Sequence, residues 1–226
     1  MRKNLDGTEG GTPPEQALAR AVAAARAELE VSLGRPAGSL DPAAVPSATL
    51  ALAVVGERNV ELWGLGDSPL VALMRNGELV VSTDEVLESL DARVVGLMLE
   101  RSAGRELTVA ERRALVREEV LANPRLRNAP GGYWCLDATG EGLAHARRLT
   151  LPREGAVAVA GMTDGIFRAF GQYGMAPLAE WMAGATYFSA QRLCDQMRVL
   201  EAEDAQLRRY PRMKVGDDAS LFVIAP

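Results

Sequence analysis

Apolar residues along this chain recur first with a helical period, then with a strand period, and then with mixtures of the two. Leu18, Val22, Ala25 and Leu29 return every three to four residues, which predicts an amphipathic helix opened by Pro13-Pro14-Glu15. Thr12 is placed to cap it, proline suits a first turn, and Gly34-Arg35-Pro36 ends it. Residues 1–12 are polar and glycine-rich, and residues 39–46 read as a linker.

Beyond the linker the period shortens. Ala48 to Val55, Asn59 to Gly64 and Leu70 to Met74 read as strands, with turn residues at Gly56-Glu57-Arg58-Asn59 and Arg75-Asn76-Gly77-Glu78. These connections are too short for crossover helices, so the expectation is an antiparallel meander. From Asp84 to Arg127 the helical period returns. Val86, Leu87, Leu90, Val94 and Leu97 form one stripe, and Leu115, Val116, Val120 and Leu121 another. Thr108 and Glu111 have the spacing of a capping box. Ala156 to Gly161 reads as a buried strand. Helical patterns follow over Ile166 to Tyr173, Pro177 to Met182 and Ala190 to Leu207, and Ala219 to Ile224 closes the chain as a strand. Hairpins first, helices interspersed and a strand last predict an α+β fold with antiparallel sheets.

Composition narrows the function classes. The formal charge of −5, without a basic stripe, argues against a nucleic-acid partner. No apolar run approaches the roughly 20 residues of a membrane span, and none follows the charged start as a secretory signal would require. Two cysteines, Cys135 and Cys194, read as buried thiols in a reducing, cytoplasmic setting. With a single histidine, a bound metal would have to be held by oxygen.

Carboxylates at strand ends are the candidate chemistry. Asp164 follows the Ala156–Gly161 strand, with Gly165 beside it to let other groups approach. Asp217 and Asp218 stand just before the last strand. Such positions suit Mg²⁺ or Mn²⁺. Asp-Gly is equally a turn dipeptide, and a doubled aspartate often only solvates a loop. Asp67, in Gly66-Asp67-Ser68, is read as holding a turn. Ser68 lacks a nucleophile elbow, and lone His145 is read as structural, so no catalytic nucleophile is assigned. Tyr133-Trp134 reads as packing. The basic segment from Arg208 to Lys214 either holds an anionic substrate or balances Glu201, Glu203 and Asp204.

Four segments, taken in order, resemble a known family. They are Pro46-Ser47-Ala48-Thr49, Gly66-Asp67-Ser68 followed by Arg75-Asn76-Gly77, Thr163-Asp164-Gly165, and Gly216-Asp217-Asp218-Ala219-Ser220. Their order and rough spacing are similar to those of the metal-dependent (PPM, type 2C) serine/threonine protein phosphatases, and Pro130-Gly131-Gly132-Tyr133-Trp134 suggests a bacterial branch. The resemblance implies two antiparallel sheets sandwiched between helices in four layers. It also implies a single domain over residues 1–226 with a helical flap-like insertion at residues 84–127. Two Mn²⁺ or Mg²⁺ ions would activate a bridging water, and a phosphoprotein would be the substrate. Asp164 and Asp217 match metal-ligand positions, while Gly165, Asp218 and Asp67 support the site. Thr163 stands where the family has serine.

The family's first strands carry a phosphate-gripping arginine and further acidic ligands, and that block is expected to be missing here. Asp6-Gly7 through Gly11 imitates part of it, with too little chain before Ser47. The readings are therefore a phosphatase with an incomplete N-terminal side, or a non-catalytic relative serving as a binding or regulatory module. An unrelated α+β domain, the remaining reading, would leave Asp164 and Asp217 far apart.

Overall fold

The computed structural model describes residues 12–41 and 44–226, so the Asp6–Gly11 segment lies outside the described residues. The first helix, α1 (Pro14–Leu33), ends at Gly34 in the left-handed region, φ 64°. Pro13 takes the cap position and no side chain caps the helix. Thr12 falls one residue too early, because Pro13 is already extended ahead of the first turn. Leu18, Val22 and Leu29 are half-buried and Ala25 is exposed, and no residue of α1 is fully buried. The helix is a lightly attached layer, tied to the sheet by Arg148 to Glu15 at 3.1 Å.

Among the described residues, nine short strands build the sheets, all antiparallel. They are β1 (Ser47–Ala48), β2 (Leu50–Val55), β3 (Asn59–Leu65), β4 (Leu70–Met74), β5 (Leu79–Ser82), β6 (Leu136–Asp137), β7 (Arg147–Pro152), β8 (Ala156–Met162) and β9 (Leu221–Ile224). The sheet orders are β2-β3-β7 and β5-β4-β8-β9, with β1-β6 as a small bridge.

The expected meander is thus two hairpins in separate sheets. Strands β3 and β4 do not pair, because Gly66, at φ 70°, swings the chain from one sheet to the other. Its N–H is taken up by the Trp134 carbonyl at 2.8 Å rather than by a neighbouring strand.

Alternation along the strands divides the interior in two. Val60, Leu62, Leu70, Ala72, Leu151 and Val159 meet between the sheets. Val71, Leu73, Ala158, Ala160 and Met162 point the other way, against Ile166, Met182, Leu193 and Met197. Those last residues come from helices α5 (Asp164–Phe167), α6 (Leu178–Ala183) and α7 (Tyr187–Glu203). The architecture is α+β, with antiparallel sheets flanked by helices.

Two helical expectations change. The Ile166–Tyr173 pattern forms only the single turn of α5, after which Gly171 and Gly174 (φ 59°) let the chain turn. Helix α7 begins at Tyr187, where Thr186 caps it, and stops at Glu203, short of Leu207.

The segment after Asp84 is helical as expected: α2 (Glu85–Ser102), α3 (Val109–Ala114) and α4 (Arg117–Ala122). Asp84 accepts the N–H groups of Val86 and Leu87 at 3.0 Å, and the Thr108–Glu111 capping box forms. The helix breaks at buried Val116, which packs on Val94 and Met98. That break turns Val120 and Leu121 outward, so the second expected stripe is only half buried. No helix among the described residues is long and apolar enough to cross a membrane.

Candidate acidic site at one end of the sandwich

Strand register brings the candidate residues to the same end of the molecule. Leu70 pairs with Gly161 and Met162 pairs with Leu221. The loop before β4, the turn after β8 and the loop before β9 therefore open side by side. They carry Asp67, Asp164 and Asp217.

Each loop is fixed by a specific contact. The Thr49 and Ser68 hydroxyls are hydrogen-bonded at 2.6 Å, joining the Pro46–Thr49 and Gly66–Ser68 segments. Arg147 donates to the Gly66 carbonyl at 2.8 Å and pairs with Asp84 at 3.4 Å, which ties the Gly66–Asp67 turn to the start of α2. On the other side, the Thr163 hydroxyl donates to the Asp218 carbonyl at 3.1 Å and accepts the Ser220 N–H at 3.2 Å. Threonine therefore keeps the hydroxyl this join uses. Gly165 is needed because a Cβ there would overlap the Asp218 carbonyl.

The basic segment before Asp217 is mainly an internal brace. Arg212 is buried and donates to the Asp204 carboxylate at 2.7 Å, and to the carbonyls of Tyr210 and Val215 at 2.7 and 2.9 Å. Asp204 also accepts the N–H groups of Arg208, Arg209 and Tyr210. Burial opposes its ionisation, but these donors win and hold its carboxyl down at about 2. Glu201 is engaged by Arg198 at 2.6 Å and by the Tyr173 hydroxyl at 3.1 Å. Of the segment's cations, Lys214 reaches the acidic group, at 2.9 Å from Asp217.

The acidic group itself has a cation at its centre. Arg168 Nη2 lies 2.5 Å from Asp164 and 3.6 Å from Asp217. Asp67 and Asp91, the latter from α2, face the same space. Together with Thr83, Glu88, Phe167 and Gln172, they line a cavity of about 230 Å³. It opens into a wider groove between α2 and the sandwich, bordered by Leu87, Val94, Val120, Thr49, Tyr133 and Lys214.

Electrostatics show an excess of negative charge. Burial, then the charge of Asp164, pushes the Asp67 carboxyl up to about 6. Burial also raises Asp164, which Arg168 opposes and Asp217 reinforces. Asp91 is raised by desolvation in the groove and by Asp164. Asp217 is lowered despite burial, because Lys214, the Asp218 N–H and Arg168 favour its charged form.

Of the residues expected from sequence, Asp164 and Asp217 come together on one cation, with Gly165 and Asp218 packed behind them. The unrelated-domain expectation, that this pair would lie far apart, is not met. Asp67, read as a turn residue, faces the acidic group. Arg168 and Asp91 were not anticipated. Arg168 stands four residues after Asp164, a spacing that pairs charges on a helix, whereas nothing local to Asp91 points across the groove. His145 stacks on Trp134 with ring centroids 3.3 Å apart, outside this group. Ser68 is buried against Thr49.

No known family profile matches the chain, and no curated protein matches it. Among solved structures it is similar to the crystal structure of a bacterial serine phosphatase. The TM-score is 0.46 and the identity 10%, over 96% of this chain and 72% of that one.

The donor set decides what metal the site could take. Its donors are hard carboxylate oxygens, of the kind Mn²⁺ and Mg²⁺ prefer. Among the described residues, however, no group of three or more histidine, cysteine, aspartate or glutamate side chains is arranged to hold a metal ion. Asp164 and Asp217 form a pair, and Arg168 already sits on it. As they stand, the described residues do not fit a two-ion centre.

Proposed function

We propose that this chain is a phosphatase-type domain of the metal-dependent serine/threonine class, hydrolysing phosphate monoesters of phosphoproteins with Mn²⁺ or Mg²⁺ in a cytoplasmic setting. The sheets and their flanking helices are read as that class's four layers, forming one domain over residues 1–226 with a flap-like insertion at residues 84–127. Asp164 and Asp217 are the proposed metal ligands, and Asp67, Gly165 and Asp218 support them.

One observation carries this reading: aspartates remote in sequence converge on a single cation at the mouth of the sandwich. The charge balance agrees with it. Among the described residues, the cations that act on Asp67, Asp91, Asp164 and Asp217 are Arg168 and Lys214. A phosphate dianion would be repelled from that space unless further positive charge entered with it. The test is phosphate release, with Mn²⁺ present, from phosphoserine and phosphothreonine peptides beside a phosphotyrosine peptide. Release from the first two supports the reading, and release from none contradicts it.

A second reading is favoured by Arg168 itself. With a guanidinium already between its carboxylates, the domain serves as a non-catalytic binding or regulatory module. Peptide binding without phosphate release would support that reading.

A further inference from the structure

The mismatch between the expected ions and the residues present points to a specific role for Arg168. We infer that Arg168 is a built-in counter-cation, taking between Asp164 and Asp217 the place that a divalent ion would otherwise occupy. The inference rests on the proposal that these two aspartates are the metal-ligand positions.

The geometry is local and fixed. One nitrogen, Nη2, reaches both carboxylates, so the two oxygens stand no more than about 6 Å apart. Asp164 opens α5 and Arg168 follows four residues later, on the same face of the turn. Asp217 is delivered from the other side by the Arg212-braced loop and the close approach at Gly165. The Arg168 side chain is mostly buried, so solvent screens the pair only in part.

A divalent ion between these carboxylates would stand within a few ångströms of a guanidinium that cannot lose its proton. Ion entry therefore requires Arg168 to leave. Two consequences follow. The ion-free fold needs Arg168 to offset the repulsion between Asp164 and Asp217, and removing Arg168 must expose a better cation site than the wild-type chain has.

The experiment is Mn²⁺ titration by calorimetry, with melting curves in EDTA and in Mn²⁺, on the wild-type chain, Arg168→Gln and Arg168→Lys. Arg168→Gln should bind Mn²⁺ at least tenfold more tightly than wild type. It should melt lower than wild type in EDTA and recover in Mn²⁺, because an ion that binds the folded state stabilises it. Binding by Arg168→Gln but not by wild type supports the inference and favours the non-catalytic reading over metal-dependent hydrolysis by the wild-type chain. Equal Mn²⁺ affinity in wild type and Arg168→Gln overturns it while leaving the metal-dependent reading intact. Absence of Mn²⁺ binding in both overturns the inference and that reading together. Should Arg168→Gln fail to fold, Arg168→Lys, which keeps the charge but loses the planar fork, should bind Mn²⁺ more tightly than wild type by a smaller factor. Equal affinity there would overturn the inference.

Discussion

Gly165 packs directly on the carbonyl of Asp218, leaving no room for a side chain between the turn after β8 and the loop before β9. This contact sets the separation of Asp164 from Asp217. Gly165→Ala should force the two loops apart and destabilise the fold by roughly 1–3 kcal/mol, the usual cost of overpacking. Urea denaturation would measure the loss. Unchanged stability would mean that the loops shift freely and do not hold the aspartates in place.

Arg212 should matter for stability more than any exposed cation of its segment. It is 3% exposed, and its removal leaves Asp204 charged and buried without its partner. Arg212→Ala is expected to cost roughly 3–5 kcal/mol. Arg208→Ala, at an exposed side chain, should stay within about 0.5 kcal/mol. Paired urea melts check both values, and similar losses for the two would contradict the assignment of Arg212 as the brace.

The acidic group leaves a signature in the pH dependence of stability. Asp67 has a folded-state value of about 6, above its ordinary value of 3.8, so the folded chain binds that proton more tightly than the unfolded chain does. Its contribution to stability therefore falls as pH rises from about 4 to about 6, and stays low above that window. Asp67→Asn should stabilise the chain at pH 7.5 by roughly 1–2 kcal/mol, allowing for its partial exposure, and make little difference at pH 4. Asp204 works in the opposite sense. Its value is depressed to about 2, so its stabilisation is present above about pH 4 and is lost as pH falls toward 2. Denaturation of wild type and both Asp→Asn variants across pH 2–8 separates the two contributions.

Much of the fold was legible because it depends on local period and punctuation. The helix ending at Gly34, the capping box at Thr108 and Glu111, and strand β4 follow from spacing and from turn or cap residues. The split of the expected meander was not legible. The choice at Gly66 is made by a partner far along the chain, the Trp134 carbonyl. Strand β7, which completes the β2-β3 sheet, has Arg147 and Arg148 at its start and so lacks a clean apolar alternation.

The site was half legible for the same reason. Asp164 and Asp217 stand beside glycines at strand ends, a local signal. Asp91 carries none, because it comes to Asp67 and Asp164 only when α2 folds over the groove. Arg168 was visible as an ion-pair spacing from Asp164, but its reach to Asp217 needed the packing of β9 against β8.

Asp164 and Asp217 are proposed to form one shared cation site serving phosphate-ester hydrolysis. The most direct test is hydrolysis of an aryl phosphate with and without Mn²⁺, by the wild-type chain beside Asp164→Asn and Asp217→Asn. Mn²⁺-dependent turnover is expected in wild type, with a loss of at least tenfold in each variant. Turnover that ignores Mn²⁺, or that survives both substitutions, would contradict it, as would no turnover by the folded wild-type chain.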